Sequence, residues 1–287
     1  MYMPKLMSIV NCTPDSFFDG GKHNEPSAAF EYAIMQLDAG ASILDVGGES
    51  TRPNFTPILA EEELRRVIPV IEMLHKEQSR RAFSISIDTT KAEVAKAALN
   101  AGANIVNDVS AMEHDPAMLD VIAESKATAV LQHTGKYANR QGESGTTAIS
   151  VLTYLKNRAD LLLERGFSKG DIYIDPGIGF GKTQEENLSL IANIGELVET
   201  GFPVLLGVSR KSYIGKIDGL EKSDRLIPSV VSGLWAAQQG VKVLRIHDTK
   251  EMQEGLLTIG ALWGAIGEQS EQVPRHHKKI AVGGILL

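Results

Sequence analysis

A chain of 287 residues, 43% apolar and 23% charged, has the composition of a folded globular protein and excludes disorder on the scale of a domain. Its net charge of −7 withholds the broad basic field that nucleic-acid binding needs, so no nucleic-acid partner is expected. The single cysteine, Cys12, cannot form an internal disulfide, and no apolar run approaches the ~18 residues of a membrane span.

The opening MYMPKLMSIVN is too short and too soon interrupted for a signal peptide, and a cytoplasmic protein with no membrane partner is expected. The first apolar, β-branched run, LMSIV (6–10), ends at Asn11 and the loop TPDSFFDGG. The helix-period segment SAAFEYAIMQLDAG leads to SILDVG (42–47) and the loop GGESTRPN. AEEELRRVIPVIEMLHKE precedes FSISID (83–88), which ends on Asp88, and KAEVAKAALNAG precedes NIVNDV (104–109), which carries Asn107 and Asp108. DPAMLDVIAES leads to TAVLQH (128–133), and SVLTYLKNRADLLLERG leads to IYIDPG (172–177) with Asp175. TQEENLSLIANIGELVETG, read as one helix, precedes PVLLGV (203–208), after which stand Ser209, Arg210 and Lys211. SDRLIPSVVSGLWAAQQG leads to KVLRIH (242–247) with Arg245 and His247, and a last helix is expected from about Glu251 to Gly267.

Alternation of short β-branched runs with longer helical periods is the pattern of βα units on a parallel sheet. Eight such pairs without a linker or a shift of composition favour one closed (β/α)8 TIM barrel over an open doubly wound sheet. Residues 1–267 are assigned to this domain and 268–287 to a C-terminal tail, whose HHKK cluster is read as solvated.

Barrel chemistry sits where the strands end. Asp88, Asn107 and Asp175 project there from apolar strands; each alone could cap a turn, but together they suit the edge of a flat, nitrogen-rich heterocycle. Lys211, Arg245 and His247 follow the seventh and eighth runs, the usual place of a phosphate site, while Arg210 is expected to point outward and hold structure. GIGFGKT (177–183) fails as a nucleotide-binding loop because Pro176 stands where glycine is required. The first two loops, rich in small polar residues, suit a lid over a site. Cys12 is read as a packing residue rather than a nucleophile.

NCTPDSFFDGG, DVGGESTRP, SIDTTK, VNDVS, IDPGIGFGK, GVSRKSYIG and RIHD stand in this order, and over about Leu6 to Gly264 the chain resembles the dihydropteroate synthase family. The resemblance implies a barrel that joins 6-hydroxymethyl-7,8-dihydropterin diphosphate to 4-aminobenzoate with release of diphosphate, in folate biosynthesis, and a sulfonamide target. It implies Asp88, Asn107, Asp175 and Lys211 as pterin contacts, and Asn11, Arg245 and His247 at the diphosphate and Mg²⁺ end, with Asn11 as the metal ligand. Thr51, Arg52 and Pro53, with Phe17, Asp19, Phe180 and Ser212, are similar to residues that close over the aminobenzoate, and Asp19 and Arg52 are counted with the catalytic set. A homodimer through barrel helices is also implied. The chain departs from the family at Gln132, where a methionine is common before His133, and at Cys12, where valine is usual. A pterin-binding methyltransferase or a non-catalytic paralogue are the alternatives; ESTRP and SRKS favour the synthase over the first, and Asp19, Thr51, Arg52 and Pro53 favour it over the second.

Overall fold

A computed structural model of the chain describes residues 3–13, 25–49, 57–135, 147–219, 221 and 224–270. The eight expected runs form strands β1 (Lys5–Asn11), β2 (Ile43–Gly47), β3 (Ser84–Asp88), β4 (Ile105–Asp108), β5 (Thr128–Gln132), β6 (Ile172–Asp175), β7 (Leu205–Leu206) and β8 (Val243–Ile246). They pair in parallel in the order β6-β5-β4-β3-β2-β1-β8-β7. A parallel bridge between Ile174 and Val204 brings β7 against β6, so the ring is nearly closed. The sheet is a TIM barrel, as its sequence pattern predicts.

Strand side chains point alternately to the two faces of a sheet, and in a closed sheet these faces are the barrel interior and the helical jacket. Met7, Ile43, Ile105, Val130, Leu205 and Val243, with Tyr173, form one apolar cluster inside the ring. Their chain neighbours Leu6, Leu44, Val106, Leu131, Leu206 and Leu244 belong to the larger cluster against the helices. The same parity, carried two residues further along each strand, aims Asp45, Asn107, Gln132, Asp175 and Arg245 inward above the apolar plug. Asp88 shares this inward parity in β3, because Ile85 and Ile87 face the helices.

The jacket consists of α1 (Glu25–Asp38), α2 (Ala60–Glu77), α3 (Ala92–Ala101), α4 (Met118–Ser125), α5 (Ala148–Leu163), α6 (Gln184–Ala192), α7 (Ile194–Val198), α8 (Ser212–Asp218), α9 (Leu226–Gln238) and α10 (Thr249–Ser270). The segment expected as one helix before β7 is broken at Asn193, whose φ of −104° and ψ of 23° leave the helical region, giving α6 and α7. The short α8 was not anticipated, and α10 runs past Gly267 to Ser270. Among the described residues, no helix is long and apolar enough to cross a membrane.

Asp108, one residue beyond Asn107, has the opposite parity and a structural task. Its Oδ1 accepts from the backbone N–H and hydroxyl of Ser110 at 2.8 and 2.6 Å, and its Oδ2 from the N–H of Met112 at 2.7 Å. These bonds hold Ala111 and Met112 in the left-handed region, at φ of 50° and 67°, where a side chain is otherwise disfavoured.

Candidate active site

The register across the first four strands joins Asn11 to Gly47, Gly47 to Asp88 and Asp88 to Asn107, one continuous rung at the mouth of the barrel. One step deeper in β2 lies Asp45, fully buried. Its Oδ2 accepts from Arg245 Nε at 2.6 Å and from Asn107 Nδ2 at 3.0 Å. Arg245 Nη2 donates to Asp88 Oδ2 at 2.5 Å, so one guanidinium spans two buried carboxylates. The Oδ1 atoms of Asp45, Asp88 and Asn107 are buried and have no hydrogen-bond partner. An acceptor left in that state costs about 1–3 kcal/mol, a cost that a ligand carrying N–H groups removes.

Asp175 completes the acceptor set from β6. Its Oδ1 accepts the N–H of Gly177 at 2.7 Å, and Gly177 holds a φ of +66°. A Cβ on Gly177 would stand 2.0 Å from the carbonyl oxygen of His133. Lys182 Nζ donates to the carbonyls of His133 at 3.0 Å and Gly177 at 2.8 Å, binding the loop after β6 to the end of β5. Further along that loop, the Phe180 ring lies 4.3 Å from Lys211 Nζ, a cation–π contact. Gln132, paired by register with Asp175, donates from Nε2 to Thr134 Oγ1 at 3.1 Å, and Thr134 donates to the Val109 carbonyl at 2.6 Å. Its amide thus links the exits of β4 and β5.

The adjacent cations after β7 part company. Arg210 pairs through Nε and Nη2 with Asp248 at 2.8 and 2.6 Å, and its backbone N–H donates to Ser229 Oγ at 2.8 Å. Its φ of 54° is the bend that sends Arg210 to the jacket and Lys211 to the mouth. The expectation of an outward, structural Arg210 is met. Ser209, which sequence reasoning did not single out, supports His247: its Oγ accepts the His247 N–H at 3.2 Å and lies 3.1 Å from Nδ1. With the Ser209 hydroxyl donating to Nδ1, the ring proton stands on Nε2.

Burial governs the charges. It pushes the Asp88 carboxyl up to about 7, with Arg245 pulling it back and the Asp45 charge adding to the push. Asp175 is raised by burial against the pull of the Gly177 N–H and Lys211. Burial, then the Arg245 charge, brings Lys211 down to about 8, while Asp175 and Asp88 oppose the fall. Burial and Arg245 bring His247 down to about 4, leaving a neutral imidazole near pH 7. Cys12 is buried and pushed up to about 12, as befits a packing residue.

The structure therefore gathers Asp88, Asn107, Asp175, Lys211, Arg245 and Phe180 in the barrel mouth, with Asn11 on its rim rung. His247 lies beside them at the end of β8, and Ser212 is exposed at the start of α8, adjacent in the chain to Lys211. Phe17, Asp19, Thr51, Arg52 and Pro53 lie outside the described residues. Asp45 was missed: it stands two residues beyond the inward Ile43 but within its strand, whereas Asp88 was read from its place at a strand end.

The barrel mouth sets buried acceptors on one side and cations on the other, and residues 7–247 match the pterin binding enzyme family, which places the chain among pterin-binding enzymes. The dihydropteroate synthase of Synechocystis sp. is 40% identical over 262 residues, covering 90% of each chain. That of Escherichia coli is 38% identical over 265 residues, 91% of this chain and 93% of its own. Among solved structures, the Xanthomonas albilineans dihydropteroate synthase with 4-aminobenzoic acid superposes with a TM-score of 0.84 at 41% identity, covering 92% of this chain and 93% of that one. The same enzyme in complex with 7,8-dihydropteroate gives 0.80 at 39% identity, covering 92% and 94%. The chain belongs to the dihydropteroate synthase family.

Gly177→Ala should lower the unfolding free energy by more than about 3 kcal/mol, because both the positive φ and the His133 carbonyl oppose a side chain. Gly166, at φ +84° with nothing within 4 Å of its Cβ position, serves as the control; alanine there should cost only the backbone penalty, about 1–2 kcal/mol. Equal losses in urea titrations of the two variants would refute the steric account.

Proposed function

We propose that the protein catalyses the condensation of 6-hydroxymethyl-7,8-dihydropterin diphosphate with 4-aminobenzoate, giving 7,8-dihydropteroate and diphosphate in folate biosynthesis. The observation that carries this reading is the Arg245 guanidinium, which joins the acceptor side of the mouth to its cationic side. Asp88, Asn107 and Asp175 would take the N–H groups of the pterin edge, and Lys211 its carbonyl side. The C–O bond to diphosphate breaks with its electron pair leaving on oxygen. Positive charge that develops across the dihydropterin is stabilised by the Asp88 and Asp175 carboxylates. Arg245 and the Nε2–H of His247 meet the leaving oxyanion. The amine lone pair of 4-aminobenzoate forms the new C–N bond, and an amine proton passes to the departing diphosphate or to water. Phe180 and Ser212, with Phe17, Asp19, Thr51, Arg52 and Pro53, are assigned to the aminobenzoate side on their motifs.

Asn11 offers Mg²⁺ a hard amide oxygen on the rim rung, next in register to the Asp88 side. Such an ion would draw its other ligands from diphosphate and water. Bound there, Mg²⁺ would neutralise charge on the leaving group. The activity is assigned to residues 1–267, with 268–287 taking no part, and the free, buried Cys12 suits a reducing cytoplasm.

We assign the exposed face of α9 to a homodimer contact. Ile227, Val231 and Trp235 recur there every fourth residue, 74%, 60% and 44% exposed. Self-complementary stripes of this kind suit a two-fold interface. Sedimentation should return twice the chain mass, and Val231→Glu should shift it to the monomer; a monomeric parent protein refutes the assignment.

Mixing the protein with the pterin diphosphate, 4-aminobenzoate and Mg²⁺ should release one diphosphate per dihydropteroate formed. No release, with methyl transfer from methyltetrahydrofolate to a corrinoid instead, would overturn the reading.

The value of kcat/KM for the pterin diphosphate should fall above about pH 8, where Lys211 loses its proton. Lys211 in the folded chain gives up its proton before the unfolded chain does, between about 8 and the ordinary 10.5, so its contribution to stability rises with pH over that window while binding weakens. Lys211→Arg should move the alkaline limb upward, and an unmoved limb would assign it to another group.

A further inference from the structure

Asp45 is a fully buried carboxylate inside the barrel. It pairs in register with Ser86, one inward step below the Gly47–Asp88 pair, directly above the apolar plug that contains Ile43. At 0% exposure it lies beneath the rim groups assigned to the ligand. Its Oδ2 nevertheless touches two of them, Asn107 through Nδ2 at 3.0 Å and Arg245 through Nε at 2.6 Å.

An asparagine amide presents a donor at one end and an acceptor at the other, and a 180° flip exchanges them at almost no steric cost. A carboxylate accepts and does not donate, so contact with Asp45 Oδ2 is possible only for the Nδ2 end of Asn107. The flip would set Asn107 Oδ1 against a carboxylate oxygen at hydrogen-bond distance. Asn107 Oδ1 is the end left without a partner, as is Asp88 Oδ1. Arg245 is oriented by the same oxygen, since its Nε side is taken by Asp45 while Nη2 reaches Asp88.

We propose that Asp45 is a positioning residue that sets the hydrogen-bond polarity of the pterin edge: it locks the Asn107 amide with its oxygen available to the ligand and aligns the Arg245 guanidinium. The proposal deepens the synthase reading and rests on it. An edge built this way selects a ligand that presents N–H donors to it, as the amino-pyrimidine half of a dihydropterin does, over one that presents bare ring nitrogens at the same positions.

Asp45→Asn supplies a side chain that can donate as well as accept, which releases Asn107 from its single orientation and halves the charge facing Arg245. By calorimetry, its Kd for 6-hydroxymethyl-7,8-dihydropterin diphosphate should rise at least tenfold. In turnover, KM for that substrate should rise while KM for 4-aminobenzoate stays within twofold, a split that general loosening of the barrel would not produce. An Arg245→Met background separates the two limbs. There, adding Asp45→Asn should still weaken 6-hydroxymethyl-7,8-dihydropterin, which lacks the diphosphate, at least fivefold; affinity within twofold of the background overturns the proposal. That background also leaves no guanidinium unpaired should the single variant fail to fold. In the parent protein, the Nδ2 protons of Asn107 should exchange slowly by NMR and keep their shift when pterin binds, and rapid exchange in the free protein would equally overturn it. Failure of the parent protein to bind the dihydropterin removes the synthase reading and this proposal together, whereas parent binding that Asp45→Asn leaves intact removes this proposal alone.

Discussion

One guanidinium held between two buried carboxylates is the interaction on which the rest of the mouth depends. Arg245 meets Asp45 at 2.6 Å and Asp88 at 2.5 Å, above an apolar cluster inside the ring. Withdrawing such charges from water costs several kcal/mol per ion, which their mutual attraction offsets only in good geometry. Two carboxylates on one cation leave the cluster short of positive charge, and Asp88 rises to about 7 in consequence of its burial and the Asp45 neighbour. The Oδ1 atoms of Asp45, Asp88 and Asn107 remain as buried acceptors without a partner.

The mouth is kept in shape by backbone devices rather than by bulk. Gly177 passes so close to the His133 carbonyl that only a missing side chain permits it, and Lys182 ties the same two carbonyls together. Arg210 accepts a left-handed φ and is held in it by Ser229 and Asp248, which leaves its neighbour Lys211 facing Phe180. At the foot of the second loop, Lys91 pairs with Glu49 at 2.8 Å and Glu63 at 2.5 Å, and Glu49 also accepts the Ile58 N–H at 2.9 Å.

Electrostatic division within a single cavity follows from strand order. β2, β3, β4 and β6 contribute Asp45, Asp88, Asn107 and Asp175, while the stretch after β7 contributes Lys211, β8 contributes Arg245 and the residue after it His247. Closing the sheet places these two arcs on one rim, so a ligand with a donor-rich ring and an anionic arm meets complementary charge at both ends. His247, brought down to about 4, is neutral near pH 7, and the positive charge resides on Arg245 and Lys211.

The sequence by itself determined the barrel and most of the residues that face into it. Strand runs are local signals, and barrel chemistry sits where they end, which is how Asp88, Asn107 and Asp175 could be read as one group and Lys211, Arg245 and His247 as another. The break at Asn193 and the helix α8 were not legible, because the first interrupts an otherwise continuous helical period and the second follows a strand end without a strong cap. Only the tertiary structure decided who pairs with whom. Arg245 lies 200 residues from Asp45 and 157 from Asp88, and they meet because β8 closes against β1 and the stagger of the barrel sets which inward side chains share a level. No local pattern carries that stagger, so Asp45 could look like any buried strand residue until the ring was closed around it.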